Sequence, residues 1–217
     1  MTKLKRIQQH ASRRKKKPTE LLLDQSQHGE AMVRLQDNLR RGRPDIVYLS
    51  LLSVLETPLC KSGLLTVHLH VRDGRIIEVN PEVRLPRNYD RFVGLMEQLL
   101  VEGRVPPSGD SLLHIIDMNL GQLINSLTAE DSVSLLAIEG GTRTTIVDLE
   151  GLFPDDSLTP VIIGVGAFPY GNLNADTKLL FANHVELDSE VMMAWHVCSE
   201  VLWAYSASVN VAKERFA

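Results

Sequence analysis

Short strand-like runs that are followed by glycine-containing turns dominate the second half of the chain. They span residues 132–138, 144–149 and 160–165, and a similar apolar run spans residues 46–52. Continuous apolar runs of this length are typical of strands that are covered on both faces, as in a parallel sheet. We therefore expect a buried and mostly parallel sheet.

Helical periodicity occurs between and after these runs. Apolar residues recur at steps of three and four in residues 27–40, 88–100 and 189–213, and each segment predicts an amphipathic helix. The last helix must bury its apolar face, and another subunit is as plausible a cover as the core of the same chain. Strands and helices in this mixture predict an α/β fold.

Two shorter segments predict strands outside the parallel sheet. Asp73-Gly74 lies between the alternating residues 66–71 and 75–79, which is a strong signal for a β-hairpin. Residues 21–23 are all leucine and predict a short buried strand.

The charge of the chain is distributed unevenly. Residues 1–17 contain eight lysines and arginines and no acidic residue. Removing these eight from the 23 basic residues leaves 15 against 27 acidic residues, so residues 18–217 carry a net charge of −12. Such a body repels phosphate except where its cations are concentrated. Because residues 1–17 have little apolar content, we expect a disordered basic arm that is either solvated or in contact with RNA phosphates.

Several classes of protein are disfavoured. Cys60 and Cys198 lie far apart and outside any CxxC pair, so we expect neither a disulfide nor a metal site, and a reducing cytoplasm fits. No apolar run approaches the roughly 20 residues that cross a bilayer, so we expect no membrane partner. Hydrolase motifs are absent from the sequence, and His68 and His70 are expected to face solvent rather than a metal.

Three arginines surround the predicted start of the helix over residues 88–100. Arg87 and Arg91 lie about one turn apart, and Arg84 precedes them by a loop, so the guanidinium groups can point the same way. Arginine binds phosphate through two parallel hydrogen bonds and stacks on bases. The alternative is a solvated helix start, but the helix dipole disfavours cations there. We therefore favour an RNA-binding cluster.

A second pattern is Arg43-Pro44-Asp45, which precedes the apolar run over residues 46–52. Asp45 can hold Arg43 in one orientation through a charge-assisted hydrogen bond. The alternative is a turn with a local ion pair, worth about 0–1 kcal/mol if exposed. From these residues alone, the local ion pair is the favoured interpretation.

Glycine-rich turns form the third pattern. Residues 162–171 contain Gly164, Gly166 and Gly171 directly after an apolar run, and Gly140-Gly141 forms a similar turn. Glycine lets the backbone turn sharply and approach a ligand. The spacing fits neither a dinucleotide fingerprint nor a phosphate loop. Each turn alone is equally compatible with a plain tight turn.

The arginine motifs together resemble a known family. Residues 41–47 and 51–61 resemble its first motif, and residues 77–81, 84–87 and 91–96 resemble its second. The family is the ribosome-biogenesis pseudouridine N1-specific methyltransferases of the SPOUT class, found in archaea and eukaryotes. The resemblance extends from about residue 20 to the C-terminus and is most specific in residues 41–100.

The resemblance implies an α/β domain with a deep trefoil knot and a mostly parallel sheet, which binds S-adenosylmethionine in the knot and forms a homodimer. Its substrate would be small-subunit rRNA. Residues 18–217 would form this single domain, and the hairpin around residues 64–80 would be a family-specific extension. We expect neither a metal nor a membrane partner, and a cytoplasmic location.

The resemblance also implies roles for individual residues. By position, the RNA-contacting arginines are Arg43, Arg84, Arg87 and Arg91, and Asp45 supports Arg43. The residues that match the cofactor loops are Gly166, Gly171, Leu187, Asp188, Ser189, Glu190, Val191 and Met192. This chain departs from the family pattern at Asn172, where an aspartate is usual, and in residues 187–192, where a serine-rich loop with Pro-Leu is usual.

The implied reaction uses the ring N1 of pseudouridine, which carries a proton that uridine lacks. We hypothesise that Arg43, fixed by Asp45, holds the base and stabilises negative charge as that proton leaves. The other arginines would bind phosphates and hold the base flipped out. No general base is evident, because Asp45 is better suited to support. Two rival functions are an rRNA-binding assembly chaperone and a knotted methyltransferase for another base.

Overall fold

Two separate sheets organise the chain, and the computed structural model describes residues 2–215. The helices are α1 (Thr2–Arg13), α2 (Gln25–Met32), α3 (Pro44–Leu55), α4 (Pro58–Lys61), α5 (Tyr89–Glu102), α6 (Leu120–Leu127), α7 (Ile146–Glu150), α8 (Ala175–Leu179), α9 (Ala194–Ser208) and α10 (Val211–Glu214). The strands are β1 (Val67–His70), β2 (Ile76–Val79), β3 (Arg104–Val105), β4 (Leu113–Ile116), β5 (Val133–Arg143), β6 (Val161–Val165) and β7 (Asn183–Glu186).

The first sheet is parallel and has the order β6-β5-β7. Strand β5 pairs with both neighbours in parallel, with Leu135 opposite Ile163 on one side and opposite Asn183 on the other. The predictions of an α/β fold, of a parallel sheet and of strands at residues 132–138 and 160–165 are confirmed, although most residues of these strands are only partly buried. Because the strands are parallel, their carboxyl ends lie at one edge, where α/β proteins bind ligands.

The second sheet is antiparallel and has the order β1-β2-β4-β3. Strands β1 and β2 form the predicted hairpin, with Val67 opposite Val79 and His70 opposite Ile76. Gly74 occupies the turn with φ +92°, a conformation that glycine adopts without strain. The hairpin is therefore confirmed, and it belongs to a four-stranded sheet that the sequence did not indicate.

The apolar run at residues 46–52 is a helix and not the predicted strand. Pro44 stands at the first position of α3, where a proline is tolerated because that amide makes no intrahelical hydrogen bond. Tyr48, Leu51 and Leu55 pack in the core of the antiparallel sheet, whereas Val54 packs in the core of the parallel sheet. A helix covered on two sides has no polar stripe, so its sequence resembles that of a buried strand.

Two other predicted strands are also wrong. Residues 144–149 leave the end of β5 and enter α7, because the Thr145 hydroxyl accepts a hydrogen bond from the Asp148 amide and caps the helix. Residues 21–23 are extended but pair with no strand. Instead, the Leu22 amide donates to a carboxylate oxygen of Glu97, at 3.0 Å.

Three predicted helices exist, two of them with shorter bounds than expected. The helix over residues 88–100 is confirmed as α5, and Asn88 caps it by accepting from the Arg91 amide. Helix α2 ends at Met32 and a separate 3-10 turn spans Asn38–Arg40, so residues 27–40 are not one helix. Helix α9 begins at Ala194, and the left-handed conformation of Asn210 separates it from α10.

The basic arm is helical where a disordered segment was expected. Its first residue lies outside the described residues, but Thr2–Arg13 form α1. Ala11 is 2% exposed, and the imidazole of His10 lies 2.8 Å from that of His28 in α2. Contacts with distant residues therefore hold α1 in place, and composition alone does not reveal them.

Candidate functional site

Arg43 and Asp45 form a two-point ion pair at the start of α3. The Arg43 Nε lies 2.8 Å from Oδ1 of Asp45 and 3.1 Å from Oδ2, and Nη2 lies 2.7 Å from Oδ2. The hydrogen bonds to Asp45 raise the pKa of Arg43, and the charge of Asp45 adds to the effect against the opposing effect of burial. Arg43 is therefore a fixed cation, and each side chain keeps about a third of its surface in solvent (36% and 38%).

Two tyrosines connect this pair to the loop that carries the other arginines. The Tyr48 hydroxyl donates to the backbone carbonyl of Pro86, at 3.0 Å. The rings of Tyr48 and Tyr89 lie 5.7 Å apart, and the Tyr89 hydroxyl donates to Oδ2 of Asp24 at 2.6 Å. The segment before α5 is thereby held against the N-terminal half of α3.

Burial and hydrogen bonding determine the protonation states of Asp24 and Tyr89. Burial opposes ionisation of Asp24, but hydrogen bonds from Ser26 and Tyr89 together lower its pKa. Burial and the hydrogen bond to Asp24 raise the pKa of Tyr89 well above its ordinary value. Tyr89 therefore stays a neutral donor and Asp24 a charged acceptor at neutral pH.

The predicted RNA-binding arginines Arg84, Arg87 and Arg91 are all exposed. Arg87 lies 3.8 Å from Glu56, which follows α3, but the Arg87 side chain is 89% exposed and the pair is loose. A hydrogen bond from Lys61 lowers the pKa of Glu56, and the charges of Arg87 and Arg84 lower it further. Lys61, which the sequence patterns did not single out, therefore belongs to this basic cluster.

The two predicted cofactor loops follow β6 and β7, and the second glycine turn lies in β5. Residues 166–171 follow β6, residues 187–192 follow β7, and Gly140-Gly141 lie in a bulge of β5. A side chain on Gly141 would place its Cβ 2.7 Å from the backbone of Val185, so only glycine allows β5 and β7 to approach so closely. The Gly140 amide donates to a Glu186 carboxylate oxygen at 3.0 Å.

Glycine is required at positions 164 and 171 for two different structural reasons. A Cβ on Gly164 would lie 2.6 Å from the Leu136 side chain and 2.7 Å from that of Phe181. Gly171 has φ +86°, which other residues rarely adopt. Gly166 is also closely packed, because a Cβ there would lie 3.0 Å from the Phe168 ring.

Arg40 joins this loop to the arginine motif of α3. Its guanidinium lies 4.3 Å from the centre of the Phe168 ring, a cation–π geometry. Its Cδ atom lies 3.5 Å from the position that a Cβ on Gly171 would occupy. Tyr170 of the same loop also contributes to the raised pKa of Arg43. Residues distant in sequence, Arg40 to Arg43 and 166–171, therefore form one site, which no local pattern indicates.

The loop over residues 187–192 is more open. Leu187 packs against the core of the parallel sheet, and Met192 is half-buried. The four residues between them are exposed, and the side chain of Asp188 caps the turn by accepting from the Glu190 amide at 2.8 Å. Among the described residues, no hydrogen bond joins this loop to residues 166–171.

A cavity of about 1200 Å³ lies between the two motifs. Residues 40–44 border one side and residues 164–169 border another, and apolar side chains of α6 and β1 cover much of the rest. Its volume exceeds the roughly 300–1,000 Å³ of typical small-molecule sites. The cavity as a whole is therefore large enough for a nucleoside-sized ligand, and Arg43 is among the residues that line it.

The described residues contain neither a metal-ion cluster nor a membrane-spanning helix. Within residues 2–215, no group of three or more His, Cys, Asp or Glu side chains is placed to hold a metal ion. No helix in the same part of the chain is long and apolar enough to span a membrane.

Comparison with known proteins places these features in one family. The EMG1/NEP1 methyltransferase family model matches residues 2–206. Ribosomal RNA small subunit methyltransferase Nep1 of Staphylothermus marinus is 40% identical, over 90% of this chain and 84% of that protein. Its counterpart in Thermococcus sibiricus is 41% identical, over 92% of this chain and 87% of that protein.

A solved structure agrees with the sequence comparisons. The crystal structure of Archaeoglobus fulgidus Nep1 bound to S-adenosylhomocysteine matches with a TM-score of 0.78 and 36% identity, over 94% of this chain and 88% of that one. The resemblance inferred from the arginine motifs is thus confirmed, and with it the methyltransferase activity. The chain belongs to the EMG1/NEP1 methyltransferase family.

Proposed function

We propose that this methyltransferase transfers the methyl group of S-adenosylmethionine to N1 of a pseudouridine in small-subunit rRNA. The observation that carries the proposal is the contact between its two motifs. Arg40 packs on Phe168 of the glycine loop, and three residues later Arg43 is fixed by Asp45. A base held by Arg43 therefore lies next to the loop that the family uses for its cofactor.

The glycine loops fit S-adenosylmethionine. The relative from Archaeoglobus fulgidus binds the demethylated product, S-adenosylhomocysteine, and shares the fold. Glycine at positions 166 and 171 lets the backbone of residues 166–171 turn directly after β6, and residues 187–192 would complete the site at the same edge of the sheet. Backbone contacts depend little on side-chain identity, so Asn172 is compatible with binding. When bound, S-adenosylmethionine supplies an electrophilic methyl group.

Arg43 is the residue that acts on the target base. It directs Nε and Nη2 to Asp45, so its Nη1 is oriented away from the carboxylate and can donate to a base carbonyl. Loss of the N1 proton spreads negative charge over the pseudouridine ring, and a fixed guanidinium stabilises that charge. Removing one such donor from an enzyme site typically reduces the rate by about 100- to 1000-fold.

Asp45 acts through Arg43 rather than as a base. Both of its carboxylate oxygens accept hydrogen bonds from Arg43 at 2.7 to 3.1 Å. Both oxygens are therefore already engaged by Arg43. Its role is to hold the guanidinium plane at one angle, which places the base within reach of the methyl donor.

Arg84, Arg87 and Arg91 bind the RNA backbone around the target. Their exposure suits contact with phosphates, and the hydrogen bond from Tyr48 to Pro86 holds their loop beside Arg43. With these contacts on both sides, the target nucleotide can be held out of its stack. We assign the remaining specificity for pseudouridine to the N1 position, where uridine has no proton to lose.

Three architectural features belong to the same proposal. The polypeptide is threaded as a deep trefoil knot around the carboxyl edge of the parallel sheet. The protein works as a cytoplasmic homodimer, and the exposed Trp203 on α9 (55% exposed) supports a subunit interface there. The hairpin of β1 and β2 is the family-specific extension of the domain over residues 18–217.

The test combines cofactor titration with product analysis. Isothermal titration should show micromolar binding of S-adenosylmethionine. Mass analysis of an rRNA hairpin should show one methyl group replacing one hydrogen when pseudouridine is present at the target, and no change with uridine. Methylation of the uridine hairpin would instead indicate another base. Tight RNA binding without cofactor binding would favour an assembly chaperone.

A further inference from the structure

Helix α1 is fixed to the body of the protein by a buried acid. Glu97 in α5 has a side chain that is 1% exposed, and Lys16 Nζ lies 2.8 Å from it and Arg14 Nη2 3.0 Å. The Leu22 amide donates to the other carboxylate oxygen. Two cations of the basic arm therefore neutralise one buried charge and dock the end of α1 on α5.

A histidine pair fixes the same helix at a second point. His28 is 2% exposed, and its Nδ1 accepts from the Asp24 amide at 3.1 Å. The proton of neutral His28 is therefore on Nε2, which donates to Nδ1 of His10 at 2.8 Å. Together with the buried Ala11, this contact sets which face of α1 is turned to solvent.

Among the described side chains of the arm, three further cations have no buried partner. Arg13, Lys15 and Lys17 are exposed. The nearest ion-pair partner of Lys17 is Glu20 at 3.9 Å, and the Lys17 side chain is 81% exposed. Exposed pairs of this kind contribute about 0–1 kcal/mol, so stability does not explain a run of cations here.

The segment that carries these cations borders the start of α5. Arg13 and Arg14 line a cavity of about 430 Å³ together with Tyr89, Asp90 and Val93. Those three residues form the first turns of α5, and Arg91 is part of the same turns. The basic end of α1 therefore borders the same groove as the first turns of α5, the part of the helix that carries Arg91.

We propose that Arg13, Lys15 and Lys17 bind rRNA phosphates that flank the target nucleotide. The identity of the RNA rests on the proposed function. The surrounding body carries a net charge of −12 over residues 18–217, that is 15 basic against 27 acidic residues, and repels phosphate elsewhere. These cations extend the positively charged RNA-binding surface along the groove between α1 and α5. The acidic Asp24 and Asp90 line the inner part of the same groove.

Salt dependence of RNA binding tests the proposal. The triple variant Arg13→Gln, Lys15→Gln and Lys17→Gln removes three charges and leaves the contacts of Glu97 intact. Each phosphate contact contributes about 0.7–0.9 to the slope of log K against log salt, so the slope should fall by about 2–3. Between 50 and 200 mM salt, the wild type should therefore lose about 20- to 40-fold more affinity than the variant.

A matched control keeps the charge. The variant Arg13→Lys, Lys15→Arg and Lys17→Arg should retain the wild-type slope, and thermal unfolding should confirm that both variants are folded. Binding is measured without S-adenosylmethionine, so the result stands even if the wild type methylates another base. An unchanged slope in the variant with three glutamines would overturn the proposal. That result is also expected if α1 binds an acidic protein instead of RNA.

Discussion

Removing the cations around Glu97 should destabilise the fold far more than removing an exposed ion pair. In the double variant Arg14→Ala and Lys16→Ala, the 1%-exposed carboxylate keeps only the Leu22 amide as a donor. A buried charge that loses its partners costs about 3–5 kcal/mol. For a chain of this size, 1 kcal/mol corresponds to about 2–4 °C, so the melting temperature should fall by about 6–20 °C.

A second substitution isolates the cause. Adding Glu97→Gln to the double variant removes the buried charge and should recover most of the lost stability, as measured by urea unfolding at pH 7. Glu30→Ala removes the exposed pair of Glu30 with Arg6, at 3.4 Å and about 60% exposure, and should cost less than about 1 kcal/mol. Equal effects of the double variant and Glu30→Ala would refute the reasoning, as would a failure of Glu97→Gln to rescue.

Three further predictions concern the site and its surroundings. Arg43→Lys keeps the charge but loses the two-point contact with Asp45, so single-turnover methyl transfer should slow by about 100-fold or more. Its melting temperature should change little, because the pair is partly exposed; a normal rate would contradict the role of Arg43. Arg40→Met removes the cation over the Phe168 ring, a contact worth about 0.5–1 kcal/mol. Titration should therefore show that S-adenosylmethionine binds about two- to fivefold more weakly. In a protein that already carries Phe168→Leu, Arg40→Met should not weaken binding further. Burial and the charge of His10 lower the pKa of His28, so its neutral form is favoured in the fold. As pH falls, the unfolded chain therefore takes up a proton at this histidine before the folded protein does. The free energy of unfolding should decrease as pH falls through about 6.5, the ordinary pKa of histidine. His28→Asn should flatten this part of the stability profile, and an unchanged profile would contradict the role of His28.

Local signals predicted the elements that depend on local chemistry. Asp73-Gly74 specified the hairpin, because the turn requires the left-handed conformation at Gly74. Asn88 and the apolar periodicity after it specified α5. These elements form from interactions between neighbouring residues, so a single sequence contains the information that they need.

The errors occurred where tertiary contacts decide. Helix α3 is covered by both cores, which removed the polar stripe that identifies a helix. Helix α1 was expected to be disordered because its anchors, Glu97 and His28, lie far away in the sequence. The composition of a segment shows how much apolar surface the segment itself contains. It does not show which ion pairs or hydrogen bonds distant residues make with that segment.

The site was predicted only in part, and for the same reason. Arg43 and Asp45 alone favoured a local ion pair, and family resemblance was needed to assign them a role. The stacking of Arg40 on Phe168 depends on how two distant loops pack, so no spacing rule indicates it. Gly141, in contrast, belongs to a glycine turn that is evident in the sequence. The sequence does not show why glycine is needed there, which is the close approach of the Val185 backbone.

Helix α3 has a consequence for how the protein yields under stress. It contributes Tyr48 to one core and Val54 to the other, and the Ser53 hydroxyl lies 2.8 Å from that of Ser199 in α9. Neither sheet can melt without releasing one side of this helix, so the two halves behave as a single cooperative unit. Since Arg43 stands at the N-terminal end of α3, melting of either half also displaces the guanidinium, so activity and the folded state are lost together.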